Sequence, residues 1–346
     1  MLNGLPEGLQ VAGSFAFAAI LTAFAVGPVR TLAVRTDFYD LPVGFKEHAR
    51  PTPYLGGVAV MAGFLIAFAA FGSDWSQFAP ISLCALLLLG VGTVDDRVGL
   101  GISPRLAAQV AAALVLWLSG TGWDVGEPAA NLALTVIWVT GVTNAFNLMD
   151  NLDGAAATVA LMSALGAGAL AVSASDPGFA VLAFALAGAC AGFLRHNLAT
   201  PSRIFLGDGG SLPIGFLVAA MVMVSSPQSL GLAGLFALAP LAGLPIFDTA
   251  LVVVSRRRRG VMVLSGARDH LTHRLYGRLG SARRVATVLM VLQGALCLLA
   301  FALHSLNRHE VAEAAVGYMI CGLIALAVLE GPLGAEVGRG QGEQPA

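Results

Sequence analysis

Polar residues divide the chain into long apolar runs. We count eleven, at roughly 9–29, 55–72, 78–94, 106–119, 129–146, 155–173, 178–194, 212–225, 230–254, 286–304 and 311–329. A helix crossing the hydrocarbon core of a bilayer takes about 20 mainly apolar residues. A backbone in lipid must satisfy its own hydrogen bonds, so each run predicts a helix. Gly and Ala crowd several runs, as in 166–171 and 187–192, which lets neighbouring helices approach closely. The pattern predicts an all-α integral membrane protein of about eleven transmembrane helices.

Composition agrees. The chain is 57% hydrophobic and 11% charged, against about 25% charged in a typical soluble domain. The net charge of −1 gives no reason to expect a nucleic-acid partner. Cys84, Cys190, Cys297 and Cys321 lie in apolar stretches without metal-ligand spacing and read as packing residues. The first basic residue, Arg30, follows the first apolar run, so that run reads as a retained span rather than a cleaved signal. No internal repeat is visible. Residues 1–330 read as a single polytopic catalytic domain, and the Gly- and Gln-rich stretch 331–346 as a disordered tail.

Charge sets the orientation. With the N-terminus outside and eleven crossings, 18 of the 19 Lys and Arg fall on the inner side and only Arg308 falls outside. Cytoplasmic loops carry such an excess. A missed or invented span would have split the basic loops between the two sides. The C-terminus is then cytoplasmic, and so are the loops richest in polar side chains. The run Arg256–Arg259 reads as a topology anchor, and His196, His304 and His309 as ordinary surface or packing histidines.

Four inner clusters carry candidate chemistry. The first holds Asp95, Asp96 and Arg97, with Arg105 and Gln109 shortly after. Paired carboxylates beside a membrane are costly unless they hold a cation or pair with a base. The second holds Asn144, Asn147, Asp150, Asn151 and Asp153, spaced to share a face if helical. Its oxygens suit Mg²⁺, which favours hard ligands and substrate phosphates. The third runs Phe205, Gly207, Asp208, Gly209, Gly210, Ser211 into a new span, a Gly-rich turn able to offer N–H groups to an anion. The fourth holds Arg268, Asp269, His270, Thr272, His273 and Arg274, donors suited to a diphosphate if they face one way. Bland readings compete with each: a surface ion pair, a polar cap, a simple turn, a solvated loop. Asp248, inside the ninth run, is an intramembrane carboxylate to which the sequence assigns no role. Together the clusters imply phosphoryl chemistry on a lipid or nucleotide at the inner face, where catalysis is mainly positioning and charge neutralisation. No P-loop motif occurs. The CDP-alcohol phosphatidyltransferase pattern fails too, because Thr158 stands where it needs Arg and no second Asp pair follows.

In this order the clusters resemble the polyprenyl-phosphate N-acetylhexosamine-1-phosphate transferase superfamily, glycosyltransferase family 4. The bacterial undecaprenyl-phosphate N-acetylglucosaminyl-1-phosphate transferases are the most similar branch. The first inner loop fits as well, with Asp40, Pro42, Lys46, His48, Arg50, Pro51, Thr52, Pro53, Gly56 and Gly57. The resemblance covers about residues 37–280. It implies attack of a lipid phosphate on the β-phosphate of a UDP-sugar at the cytoplasmic face of the bacterial inner membrane, with release of UMP. It implies Mg²⁺, or Mn²⁺ in its place, held by Asp208 with Asn147 as a second ligand. Asp95, Asp96, Asp150, Asp153, His270, His273 and Arg274 match catalytic positions, with Asp95 set to orient or deprotonate the lipid phosphate. Lys46, His48, Arg105, Asn144, Asn151, Phe205 and Gly207 match substrate-binding positions, Phe205 as an aromatic for uracil and Arg105 for pyrophosphate. A homo-oligomer is compatible with the resemblance.

The chain departs from the family pattern in places. The last loop reads His270, Leu271, Thr272, His273 where H-x-H-H is usual. Tyr54 stands where Arg often follows the Pro-Thr-Pro motif, and Gly209 and Pro213 differ from common forms. N-acetylglucosamine-1-phosphate is the expected transferred group. The alternatives are another UDP-sugar, such as UDP-N-acetylmuramoyl-pentapeptide, or a transporter without enzymatic activity.

Overall fold

The computed structural model describes residues 2, 4–40, 51–73, 75–227, 230–262 and 269–331. Lys46, His48, Arg268, and the tail beyond residue 331 lie outside them. The helices are α1 Glu7–Arg35, α2 Gly56–Phe71, α3 Trp75–Val98, α4 Ile102–Leu118, α5 Pro128–Met149, α6 Ala155–Ser173, α7 Pro177–Asn197, α8 Asp208–Val224, α9 Leu232–Leu238, α10 Gly243–Arg259, α11 Leu271–Leu279, α12 Ala282–His304 and α13 Arg308–Glu330. One antiparallel pair of two-residue strands, β1 Tyr39–Asp40 and β2 Thr52–Pro53, interrupts the all-helical pattern. It aligns Tyr39 with Pro53 and Asp40 with Thr52.

Among the described residues, eight helical segments are long and apolar enough to cross a membrane, with α9 through α10 taken as one. The helices α2, α4 and α8 are apolar but shorter, at 16, 17 and 17 residues. At 1.5 Å per residue each spans roughly 25 Å. The bundle is layered by burial. The apolar windows of α6 and α7 are 72% and 83% buried, whereas those of α1 and α13 are 22% and 11% buried. α8 packs against α3, α5, α2 and α6 at the centre, and α7 against α1, α2 and α6. Small residues set the closest approach. A Cβ on Gly188 would lie 2.1 Å from the Phe15 carbonyl oxygen, and one on Gly192 2.2 Å from that of Ala19. One small residue per turn of α7 thus lets α1 lie directly on it.

The ninth run, expected as one span over 230–254, is broken. A 3₁₀ segment, Ala239–Ala242, separates α9 from α10. Pro240 lacks an N–H and interrupts the ladder. Gln293 of α12 is fully buried and replaces the missing bonds. Its Nε2 donates to the carbonyls of Pro240 (3.1 Å) and Leu241 (2.8 Å), and its Oε1 accepts from the Leu244 N–H (3.2 Å). The two prolines at 240 and 245 were the available signal for the break.

The C-terminal end of α10 is tied down by charge. Arg256, 3% exposed, donates through Nε and Nη2 to the two oxygens of Asp269 at 2.9 and 2.8 Å, and Arg259 joins them. Burial works against the Asp269 carboxylate, but the hydrogen bond and charge of Arg256 outweigh it and hold the group below its ordinary range. A lowered folded value means the stabilisation is complete above the unfolded pKa, about 4. It is lost as pH falls through the lower folded value. Asp269→Asn would take the carboxylate counter-charge away from the buried Arg256 guanidinium, which costs about 3–5 kcal/mol. The expected result is a lower melting temperature in detergent; an unchanged one would show that Arg256 finds another partner.

Candidate active site

The site assembles at one end of the bundle, from the C-terminal ends of α3 and α5 and the N-terminal ends of α4 and α8. Asp208 is the first residue of α8, so the helix begins four residues before the run expected from hydropathy. Gly207 caps it at φ +74°, in the left-handed region that side chains avoid. A Cβ there would also lie 2.5 Å from Asp96 Oδ2. The Gly207–Gly210 run is therefore the first turn of α8 with its cap, not a loop ahead of it.

Asp96 and Asp95 divide the work of the first cluster. Asp96 Oδ1 accepts from the Asp208 N–H at 2.8 Å, and Oδ2 from the Gly209 N–H at 2.9 Å. A carboxylate of α3 thus caps α8 and favours the positive end of its dipole. Asp95 Oδ2 accepts from Arg105 Nη1 at 2.7 Å. The same nitrogen donates to Asp208 Oδ2, also at 2.7 Å. On the other side Asn147 Nδ2 donates to Asp208 Oδ1 at 2.8 Å and to Ser211 Oγ at 3.0 Å. Asp95, Arg105, Asn147 and Asp208 are thus contiguous.

α5 ends at Met149, so the second cluster does not share one helical face as expected. Asn144 and Asn147 lie on the helix, Asp150 is its C-cap, and Asn151 and Asp153 occupy the following turn. Asn144 donates to Gln109 Oε1 at 2.6 Å and to the Thr140 carbonyl at 2.8 Å. Burial pushes the Asp150 carboxyl well above its ordinary range, reinforced by the charges of Asp208, Asp96 and Asp153 and opposed by a hydrogen bond from the Gly207 N–H. Asp153 Oδ1 accepts from Asn197 Nδ2 at 3.2 Å. Asn197, 4% exposed, also donates to the Ile204 carbonyl and accepts the Gly154 N–H at 2.6 Å. It joins the second cluster to the third, and sequence reading missed it. Its signal was a polar residue ending the apolar α7, hidden beside Arg195 and His196.

Phe205 packs its ring 6.2 Å from that of Tyr54, and its backbone bonds to Pro53 and Gly56. This places β2 and the start of α2 beside the site. Burial raises the Tyr54 phenol, as do its charge and hydrogen-bond contacts with Asp40 and the fields of Asp96 and Asp208. Tyr54 therefore stays a neutral phenol at this position.

The fourth cluster does not face one way. His270 is the N-cap of α11, and its Nδ1 lies 2.7 Å from Asp248 Oδ2. Thr272 donates its hydroxyl to Asn151 Oδ1, docking α11 on the turn that follows α5. The His273 ring lies 6.0 Å from that of His270. Arg274 turns elsewhere. Its guanidinium donates to the carbonyls of Asp269 (3.1 Å) and Leu329 (2.7 Å), to Ser255 Oγ (3.3 Å) and to Glu330. The reason is α13, whose C-terminal carbonyls and Glu330 attract a cation.

Among the described residues, no group of three or more His, Cys, Asp or Glu is disposed to hold a metal alone. The donor set still fits Mg²⁺. Carboxylate oxygens of Asp95 and Asp208 converge on one guanidinium nitrogen, so both face a point that accepts positive charge. Mg²⁺ commonly takes one or two protein carboxylates and completes its shell with water and substrate phosphate. Asp208, Asp95 and the Asn147 amide, if turned to present its oxygen, supply such a set.

Residues 78–226 match the sequence profile of glycosyl transferase family 4. The decaprenyl-phosphate N-acetylglucosaminephosphotransferase of Mycobacterium tuberculosis is 33% identical, over 89% of this chain and 86% of its own length. The chain belongs to glycosyl transferase family 4. The undecaprenyl-phosphate alpha-N-acetylglucosaminyl 1-phosphate transferase of Escherichia coli is 26% identical, over 85% of this chain and 83% of its own. The family match spans α3 through α8, and so contains Asp95, Asp96, Arg105, Asn147, Asp150, Asp153 and Asp208. His270 and Asp248 lie beyond the family match.

Proposed function

We propose that this chain transfers N-acetylglucosamine-1-phosphate from UDP-N-acetylglucosamine to a polyprenyl phosphate in the bacterial cytoplasmic membrane, releasing UMP. The observation that carries the reading is the meeting of Asp95 and Asp208 on Arg105 Nη1, with Asn147 on the other oxygen of Asp208. The names of the M. tuberculosis and E. coli relatives support the substrate classes. We take all eleven apolar segments as spans of one catalytic domain with the N-terminus outside, which puts this end of the bundle in the cytosol.

In the reaction an oxygen of the lipid phosphate attacks the β-phosphorus of the nucleotide sugar. The bond from that phosphorus to the bridging oxygen breaks, and UMP leaves with that oxygen. Asp208 and Asn147, with Asp95, would hold Mg²⁺, which would neutralise diphosphate charge and make the β-phosphorus a better acceptor. Asp95 orients the lipid phosphate and takes a proton from it if it arrives protonated. Arg105, released from its carboxylates, offers a planar fork to pyrophosphate oxygens. Asp96 keeps the first turn of α8 in place. Asp150 and Asp153 shape the nucleotide side, where Phe205 offers a face for uracil. His270 and His273 approach the donor from α11, while Arg274 holds α11 on α13.

Chelation is the direct test. EDTA should stop UMP release by the purified protein supplied with UDP-N-acetylglucosamine and undecaprenyl phosphate. Added Mg²⁺ should restore it, and Mn²⁺ should substitute. Turnover that ignores the chelator would remove the metal-dependent reading. A panel of UDP-sugars in the same assay identifies the donor.

A further inference from the structure

Asp248 is fully buried within α10, and the reading above gives it no task. A carboxylate inside an apolar helix is costly unless both oxygens are partnered. Both are. Oδ1 accepts the Leu271 N–H at 2.6 Å, and Oδ2 lies 2.7 Å from His270 Nδ1. The first bond is a cap supplied from another helix, because the His270 side chain makes no cap bond to α11 itself. A cap alone would need only one oxygen, and the second bond does something different. An ionised carboxylate accepts and does not donate, so beside an ionised Asp248 it is Nδ1 that carries the hydrogen. Nε2 is then an acceptor in neutral imidazole and a second donor in imidazolium. His270 is 5% exposed, and Thr272, two residues on, is bonded to Asn151 beside the acidic cluster.

We propose that Asp248 is a positioning residue, which from within α10 fixes the tautomer and direction of His270 so that Nε2 is presented to the diphosphate of the nucleotide sugar. This rests on the transferase reading, with His270 on the donor side. Asp248→Asn keeps the shape and can keep the Leu271 bond through its amide oxygen. Its amide nitrogen then faces Nδ1 and donates, so Nδ1 must accept and the hydrogen moves to Nε2.

The test uses the full chain in detergent with ¹⁵N-labelled histidine; His270→Gln assigns the His270 signals among the six histidines. The wild-type spectrum should show His270 with its hydrogen on Nδ1, and Asp248→Asn should move it to Nε2. UMP release should fall about a hundredfold or more in kcat, with a smaller change in KM, as expected when the orienting carboxylate of a histidine is lost. In a His270→Ala background the same Asp248→Asn change should cost no further activity, because the two act as one unit. A wild-type His270 carrying its hydrogen on Nε2 overturns the proposal even if the variant fails to fold. So does an equal loss of kcat in both backgrounds, the mark of a purely structural Asp248. The spectra need no turnover. A wild-type protein that released no UMP would therefore sink the transferase reading, while the tautomer still decides the Asp248–His270 pair.

Discussion

Asp208→Asn should reduce UMP release by roughly a thousandfold or more while the protein still inserts, purifies and elutes as the parent does. Removal of a single preorganised electrostatic group from an active site costs about 10²–10³, and Asp208 touches more than one partner. Its two oxygens meet Arg105 and Asn147, and its N–H meets Asp96. The variant keeps the size and the backbone bond, so α8 keeps its cap. It loses the charge that balances Arg105 and that, on the proposed reading, would hold a divalent cation. Asp95 alone would then face the guanidinium. The measurement is UMP release at saturating UDP-N-acetylglucosamine over a range of Mg²⁺. Turnover within a few-fold of wild type would show that the reacting phosphates are managed elsewhere. Recovery at high Mg²⁺ would give the variant a weaker metal site rather than a dead one.

Gly92→Ala should cost about a hundredfold in kcat with the fold intact. One methyl group carries the effect. A Cβ on Gly92 would sit 2.2 Å from the Asp208 carbonyl oxygen and 2.6 Å from the Gly209 nitrogen. Both atoms belong to the backbone of the α8 first turn and cannot rotate away. α3 and α8 must separate by about 1 Å to restore contact, and a displacement of that size can cost about 10² in rate. It would also stretch the bonds from Asp96 to the Asp208 and Gly209 N–H groups. Gly90, half a turn earlier, has open space where its Cβ would point, so Gly90→Ala is the matched control. Equal activity of the two variants would mean that the approach of α3 to α8 does not set the geometry.

Much of this was legible in the sequence because membrane and charge impose strong patterns. Each expected apolar run contains a helix, since lipid leaves the backbone few choices. The short runs carrying Asp95, Asn147 and Asp208 come together at one end of the bundle. The pattern gave less about where helices stop. The Asn and Asp spacing over 144–153 is helix-like, but α5 ends at Met149 because Asp150 and Asn151 prefer the cap and turn. Roles carried by tertiary contact were not legible. Nothing in Asp96 says that it caps a helix more than a hundred residues later, and nothing in Arg274 says that α13 will claim it. Asn197 and Asp248 act through partners remote in sequence, which periodicity cannot see.

The bracket that Gln293 places on the broken ninth segment bears on how the chain is made. The Leu241 carbonyl and the side chain that satisfies it are 52 residues apart, and the carbonyl is synthesised first. Until α12 emerges, the exposed groups around Pro240 have no permanent companion and cannot rest in hydrocarbon without penalty. The interval favours a ninth segment that lingers in a hydrated setting, at the insertion machinery or against earlier helices, before sealing. Assembly of the later half is thereby ordered in time, with α12 acting as the latch that lets the preceding segment settle into the bilayer.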